Sequence, residues 1–245
     1  MALVTGTLRA TPIVALDVPD AASARALVGR LGAHCDFYKV GLELFSAEGP
    51  SIVSWLRGEG KRVFVDLKLH DIPNTVRSAA RSVARHGASL LTIHASGGSA
   101  MIAAAVEGAH EGSVGQDEPS GILGVTILTS LDGAAVGEAW GRPPVDVPAE
   151  VLRLAGLVRD GGAAGIVCSG HEAAAVRAVH GDRLGLLIPG IRQPGGDAHD
   201  QRRVMTPVAA AEAGARWLIL GRAVTGAADP VAAMAAVRAS LAPIG

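Results

Sequence analysis

Asp66, Lys68 and Asp71 set a carboxylate, an ammonium and a second carboxylate within six residues of chain. They follow Val63-Phe64-Val65, a β-branched and aromatic run that predicts a strand. Alternate side chains of a strand share a face, so Asp66 and Lys68 are expected to point the same way. Opposite charges on the inner face of an apolar strand are costly to bury unless they pair or do chemistry. Asp71 falls just past the strand end, and Pro73 suits the first turn of a following helix. The plain alternative is a salt bridge at a strand end, and the pattern Asp-x-Lys-x-x-Asp alone does not separate the two.

Lysine usage adds weight. The chain has three lysines, Lys39, Lys61 and Lys68, against nineteen arginines. Genomic base bias is an alternative explanation, so the excess of arginine means little by itself. Retained lysines still mark positions where a compact ammonium able to release a proton is wanted, because a guanidinium effectively never deprotonates.

The elements that position these residues can be read in order. Strands are expected at 12–17, 37–41, 62–68, 89–95, 121–128, 165–168, 184–189 and 217–220. Helices are expected at 20–31 (Asp20 as N-cap), 46–59, 75–87, from Gly97-Gly98 to about 108, 149–161, 172–180, 207–214 and 229–241, with a short one after Ser130. Residues 190–203 have no periodicity and read as a long loop. Short buried strands alternating with helices predict parallel βα units. Eight such units in 245 residues match an α/β fold of the single (β/α)8 TIM barrel type, one domain over 1–245. An open doubly wound sheet is the alternative, but no Gly-x-Gly-x-x-Gly follows strand one.

In such a barrel the active site lies at the C-terminal ends of the strands. Those ends carry Asp17, Lys39, Asp66 and Lys68, His94 and Ser96, Thr129, Ser169, Arg192 beyond strand seven, and Gly221-Arg222 after strand eight. Surface salt bridges would not choose one end of every strand. Gly221-Arg222 reads as a phosphate grip, since glycine lets a backbone N–H approach an anion. Arg192, Gln201, Arg202 and Arg203 could close over the same anion, although taken alone they read more plainly as a solvated polar loop. His34, His86, His110, His180 and His199 read as surface or helix-end residues, and no histidine has metal-ligand spacing. No metal and no cofactor are expected.

Composition narrows the function classes. Hydrophobic residues make up 49% of the chain and net charge is -1, with no basic stripe for nucleic acid. The first ten residues predict no signal peptide, and no run predicts a membrane span. Cys35 and Cys168 fall in apolar, strand-like runs, which favours buried thiols in a reducing cytoplasm over a disulfide.

From Ile13 to Asp229 the sequence resembles orotidine 5′-phosphate decarboxylase of the common bacterial type. The resemblance is carried by Asp66-Leu67-Lys68-Leu69-His70-Asp71-Ile72-Pro73-Asn74-Thr75, Phe37-Tyr38-Lys39-Val40-Gly41, Val125 to Ser130, Pro189-Gly190-Ile191-Arg192, Asp200-Gln201-Arg202-Arg203 and Gly221-Arg222. It implies decarboxylation of orotidine 5′-phosphate to UMP, with Lys68 as proton donor to pyrimidine C6. Lys39, Asp66 and Asp71 would complete a charged array, with Asp71 reaching into the neighbouring subunit of an obligate homodimer. Asp17 and Lys39 would hold the ribose hydroxyls, with Thr75 supplied by the partner. Thr129 would meet the pyrimidine, and Arg192, Gln201, Gly221 and Arg222 the phosphate. The charged positions show no departure from the family pattern, whereas the stretch 193–197 is where differences of detail from relatives are expected.

The chemistry agrees with the residues. Loss of CO₂ from C6 leaves a carbanion that the ring delocalises poorly. Without an electron-sink cofactor, fixed charges and a proton donor must suffice. A Mg²⁺-dependent sugar-phosphate decarboxylase or aldolase of the same superfamily also uses Asp-x-Lys-x-x-Asp, but it wants a metal-binding carboxylate at the end of strand two, where Leu42-Glu43-Leu44 follows Lys39 here. A non-catalytic nucleotide-binding barrel predicts a broken array.

Overall fold

The computed structural model describes residues 9–192 and 205–242. Eight parallel strands form a closed barrel in sequence order: β1 (Thr11–Leu16), β2 (Phe37–Gly41), β3 (Arg62–Leu69), β4 (Leu90–His94), β5 (Gly121–Val125), β6 (Gly165–Val167), β7 (Gly185–Ile188) and β8 (Ala215–Leu220), with β8 pairing back onto β1. Closure leaves no strand edge unpaired. Around it run α1 (Ala21–Leu31), α2 (Leu42–Glu48), α3 (Ser51–Gly58), α4 (Pro73–Arg85), α5 (Gly98–Gly112), α6 (Gly133–Ala139), α7 (Val147–Asp160), α8 (Gly170–His180), α9 (Pro207–Glu212), α10 (Arg222–Thr225) and α11 (Pro230–Ser240).

Strand alternation divides the apolar residues into two cores. Ile13, Phe37, Phe64, Leu90, Leu187 and Trp217 fill the barrel interior. Their sequence neighbours, such as Val14, Tyr38, Val65 and Leu91, pack outward against the helices. The interior residues lie in register, with Ala15 beside Lys39, Lys39 beside Phe64 and Phe64 beside Leu90. One step toward the C-terminal ends the inward positions turn polar, and this is where the packed interior gives way to a cavity.

Helix ends follow local chemistry. Asp20 caps α1 by accepting the Ser23 N–H at 2.8 Å, and Ser169 and Glu172 form a reciprocal capping box on α8. Two expectations change. The single helix expected over 46–59 is two, because Gly49 adopts φ +63° and ends α2 before Pro50 leads into α3. Strand five stops at Val125 rather than Leu128: Thr126 turns both its N–H (3.2 Å) and its hydroxyl (3.0 Å) onto the Val167 carbonyl, and the chain leaves the sheet. His180 stands at the end of α8, the helix-end position that was one of its two readings, and burial there holds its pKa below the ordinary value.

Candidate active site

Asp17, Lys39, Asp66, Lys68, Thr129, Arg192, Gly221 and Arg222 all line one cavity of about 310 Å³ at the C-terminal mouth of the barrel. That volume suits a small ligand. The charges within it alternate. Asp17 Oδ1 is 2.9 Å from Lys39 Nζ, Lys39 Nζ is 3.7 Å from Asp66 Oδ2, and Asp66 Oδ1 is 2.9 Å from Lys68 Nζ. Asp66 therefore gives one oxygen to each lysine. The order along the cavity is carboxylate, ammonium, carboxylate, ammonium.

Each side chain is placed by its strand. Lys39 is an inward position of β2 and is only 9% exposed, so its charge is tolerable there only because two carboxylates flank it. Its path depends on Gly41: a Cβ at Gly41 would come within 2.9 Å of Lys39 Nζ and 3.5 Å of Asp17 Oδ1. Asp66 is the inward neighbour of Gly41 on β3.

Lys68 reaches the cavity by a less regular route. The register between β3 and β4 runs Val65 to Leu91 and then Leu69 to Ile93, so Asp66, Leu67 and Lys68 face the single residue Thr92. Lys68 has φ +52° and is the one non-glycine residue with positive φ among the described residues. An L-residue held there costs about 1–3 kcal/mol, and such strain gathers at functional sites. The bulge, rather than regular strand alternation, brings Nζ of Lys68 back over Asp66.

The part of the cavity lined from beyond β7 and β8 is basic. Arg192 and Arg222 face it, and the Arg192 guanidinium is held below its ordinary pKa, first by burial and then by the charge of Arg222. Two cations placed so close favour a bound anion. Gly221 lines the same part, and a Cβ there would meet nothing within 4 Å, so its backbone is open to the cavity. Apolar residues, among them Val125, Ile127 and Ile219, complete the walls.

Asp71 and Thr75 are not brought into this cavity. Both are exposed on the turn after β3 and the start of α4, where Asp71 Oδ1 accepts the Ile72 N–H at 2.6 Å. Gln201 lies outside the described residues. Among the described residues no group of His, Cys, Asp and Glu is arranged to hold a metal ion. His94 and His70 stand beside the site with ring centroids 5.4 Å apart. Burial lowers the His94 pKa, with His70 and Lys68 adding to the effect.

Two contributors, Thr92 and Gly41, were not singled out from the sequence. Thr92 is fully buried, accepts the Lys68 N–H at 2.9 Å and donates to Asp66 Oδ1 at 2.9 Å. Its signal was an inward-phase hydroxyl in the otherwise apolar run Leu90-Leu91-Thr92-Ile93. The signal of Gly41 was a glycine two positions after a strand-end lysine.

A family model described as Orotidine 5′-phosphate decarboxylase / HUMPS family matches residues 11–237. The chain belongs to the orotidine 5′-phosphate decarboxylase family. An orotidine 5′-phosphate decarboxylase from Moorella thermoacetica is 46% identical over 230 residues, covering 94% of this chain and 91% of that protein. One from Paramagnetospirillum magneticum is 48% identical over 230 residues, covering 93% and 97%. The crystal structure of orotidine 5′-phosphate decarboxylase from Lactobacillus acidophilus superposes with a TM-score of 0.85 at 34% identity, covering 95% of this chain and 99% of that one. The decarboxylase family thus shares both the barrel and most of the length of this chain.

Proposed function

We propose that this chain decarboxylates orotidine 5′-phosphate to UMP, the last step of UMP biosynthesis, by stabilising a C6 carbanion with fixed charges and quenching it with a proton from Lys68. The observation that carries this reading is the alternating row Asp17–Lys39–Asp66–Lys68 inside one cavity that two arginines also line.

The nucleotide phosphate lies between Arg192, Arg222 and the Gly221 backbone; the family resemblance adds Gln201, which is outside the described residues, to this group. The ribose hydroxyls meet Asp17 and Lys39, and Thr129 meets the pyrimidine. This directs C6 and its carboxylate toward Asp66 and Lys68. The bond from C6 to the carboxylate breaks, CO₂ leaves, and the electron pair stays on C6. Lys68 gives its proton to that pair and later regains one from solvent. An ammonium already in place and already paired needs little reorganisation as negative charge develops, which is the basis of electrostatic catalysis. Asp66 close to the departing carboxylate raises the energy of the ground state. Contacts to the phosphate, far from C6, supply binding energy that can be used at the reacting carbon.

The working unit is a homodimer in this reading. Asp71 and Thr75 do not line their own cavity, and Leu42, which opens α2, and Ile72, which precedes α4, are 57% and 67% exposed. Large apolar side chains beside a charged turn suit a covered surface. A two-fold interface there would send Asp71 into the partner's array and Thr75 to its ribose. Cys35 and Cys168 are both buried thiols, as suits the cytoplasm. No helix among the described residues is long and apolar enough to cross a membrane.

The test is an ultraviolet assay of orotidine 5′-phosphate turnover, run on the wild type with and without EDTA and on Lys68→Ala. Turnover that survives EDTA and vanishes in Lys68→Ala, with UMP binding largely kept, is expected. Wild-type turnover by Lys68→Ala would remove Lys68 from the mechanism.

A further inference from the structure

Between Asp66 and Lys68 the backbone departs from the sheet, and a departure of that kind needs something to hold it. Lys68 cannot use a regular ladder bond, because three residues of β3 stand opposite one of β4. Its N–H turns instead to the hydroxyl of Thr92, at 2.9 Å. The same hydroxyl gives its proton to Asp66 Oδ1, at 2.9 Å, the oxygen that also receives Lys68 Nζ at 2.9 Å. One side chain therefore ties the backbone of the lysine to the carboxylate that its own ammonium contacts.

We propose that Thr92 is a positioning residue for the decarboxylation, its buried hydroxyl fixing the Asp66–Lys68 pair in the geometry that the reaction uses. The proposal rests on the assignment of Lys68 as the proton donor and goes beyond it by naming what aims that donor.

A threonine hydroxyl has one proton to give and lone pairs to accept with, and here both capacities are used in opposite directions. The hydroxyl proton goes to a carboxylate, so the bond is charge-assisted. The lone pair takes an N–H whose residue has the sole positive φ of a non-glycine among the described residues. Thr92 is completely buried, so no water is at hand to replace either bond. Its own position is firm: it lies in the middle of β4, in register with Leu123 of β5. The link thus runs from a rigid strand to the two side chains nearest the chemistry, an arrangement that reactive groups need if they are to be held within a fraction of an ångström.

Substitution by valine keeps the shape and removes the hydroxyl; substitution by serine keeps the hydroxyl and removes the methyl. In the full-length protein, Thr92→Val is expected to lower kcat for orotidine 5′-phosphate by about 10- to 100-fold, the scale of a small misplacement of reacting groups. Affinity for UMP, read by calorimetry, should stay within about threefold, and Thr92→Ser should restore kcat to within a similar factor of wild type. A wild-type kcat in Thr92→Val overturns the proposal. Equal damage from valine and serine, or parallel loss of kcat and UMP affinity, also overturns it, since each means that packing rather than the hydroxyl is at issue. Circular dichroism checks the fold; if the valine variant does not fold, Thr92→Ala against Thr92→Ser makes the same comparison. Lys68→Ala run alongside separates the two claims. An inactive Lys68→Ala with a fully active Thr92→Val refutes the positioning role alone, whereas an active Lys68→Ala refutes the assignment beneath it.

Discussion

The ammonium of Lys39 occupies the space that a side chain at position 41 would need: a Cβ on Gly41 would stand 2.9 Å from Lys39 Nζ. The lysine can therefore run along β2 and reach Asp17 only because the residue two positions on has no side chain. Gly41→Ala should displace the end of Lys39, a flexible group, without unfolding the barrel. We expect turnover to drop by up to about 10²-fold while the melting temperature stays close to that of the wild type. A steady-state assay paired with a thermal melt checks both halves.

Asp71 lies outside the cavity of its own chain, so its contribution can be tested by complementation. Lys68→Ala and Asp71→Ala should each be nearly inactive as homodimers. Mixed and reassembled, they should form hybrids in which one site has an intact Lys68 from one subunit and an intact Asp71 from the other. With random two-fold pairing, activity should return to about a quarter of wild type. No recovery on mixing, with hybrids demonstrated by mass, would place Asp71 outside the partner's site.

Arg222 lines the cavity together with Arg192, and its charge acts on the Arg192 guanidinium. If that part of the cavity holds phosphate, Arg222→Ala removes a charge-assisted contact that typically contributes about 1.5–3 kcal/mol. Affinity for UMP should then fall by about 10- to 100-fold, whereas affinity for uridine, which has no phosphate, should hardly change. Equal weakening of both ligands in a titration would count against the assignment.

His94 couples the site to pH through stability. Burial, then His70 and Lys68, lowers its pKa from the ordinary 6.5, and Asp66 opposes them. The folded state therefore prefers the neutral ring, and below that ordinary value the unfolded chain binds the proton more readily. The contribution to stability is complete above pH 6.5 and is lost as pH falls from there through the lower, folded-state value. His180 is shifted in the same direction. Melting temperatures taken between about pH 7.5 and 5.5 should fall less in His94→Gln than in the wild type, and less again when His180 is also replaced. Parallel curves for wild type and His94→Gln would show that the ring carries none of the dependence.

The barrel and most of the polar ring at its mouth were legible in the sequence because both rest on short-range rules. Alternation of apolar residues marks a strand, and a charge ending such a run marks its C-terminal end. Asp17, Lys39, Asp66, Arg192 and Arg222 were found this way, and all five line the cavity. Misplaced boundaries have local causes that compete with periodicity: Gly49 divides a helix, and Thr126 leaves β5 for the Val167 carbonyl. His180 ends α8 as its helix-end reading allows, but a polar type at a helix end carries no record of what the neighbouring elements cover, and its burial came from the packing.

By itself the sequence determined which polar groups stand at the mouth of the barrel, since the kinds of side chain and their places on the strands are properties of the chain. Only the tertiary structure decided how those groups meet. Lys68 reaches Asp66 because β4 offers one residue against three of β3, and Thr92 serves both because it projects inward from a different strand. Distances between strands far apart in sequence depend on register and closure of the whole barrel, which arise from the packing of all eight strands together and are not encoded in any one segment.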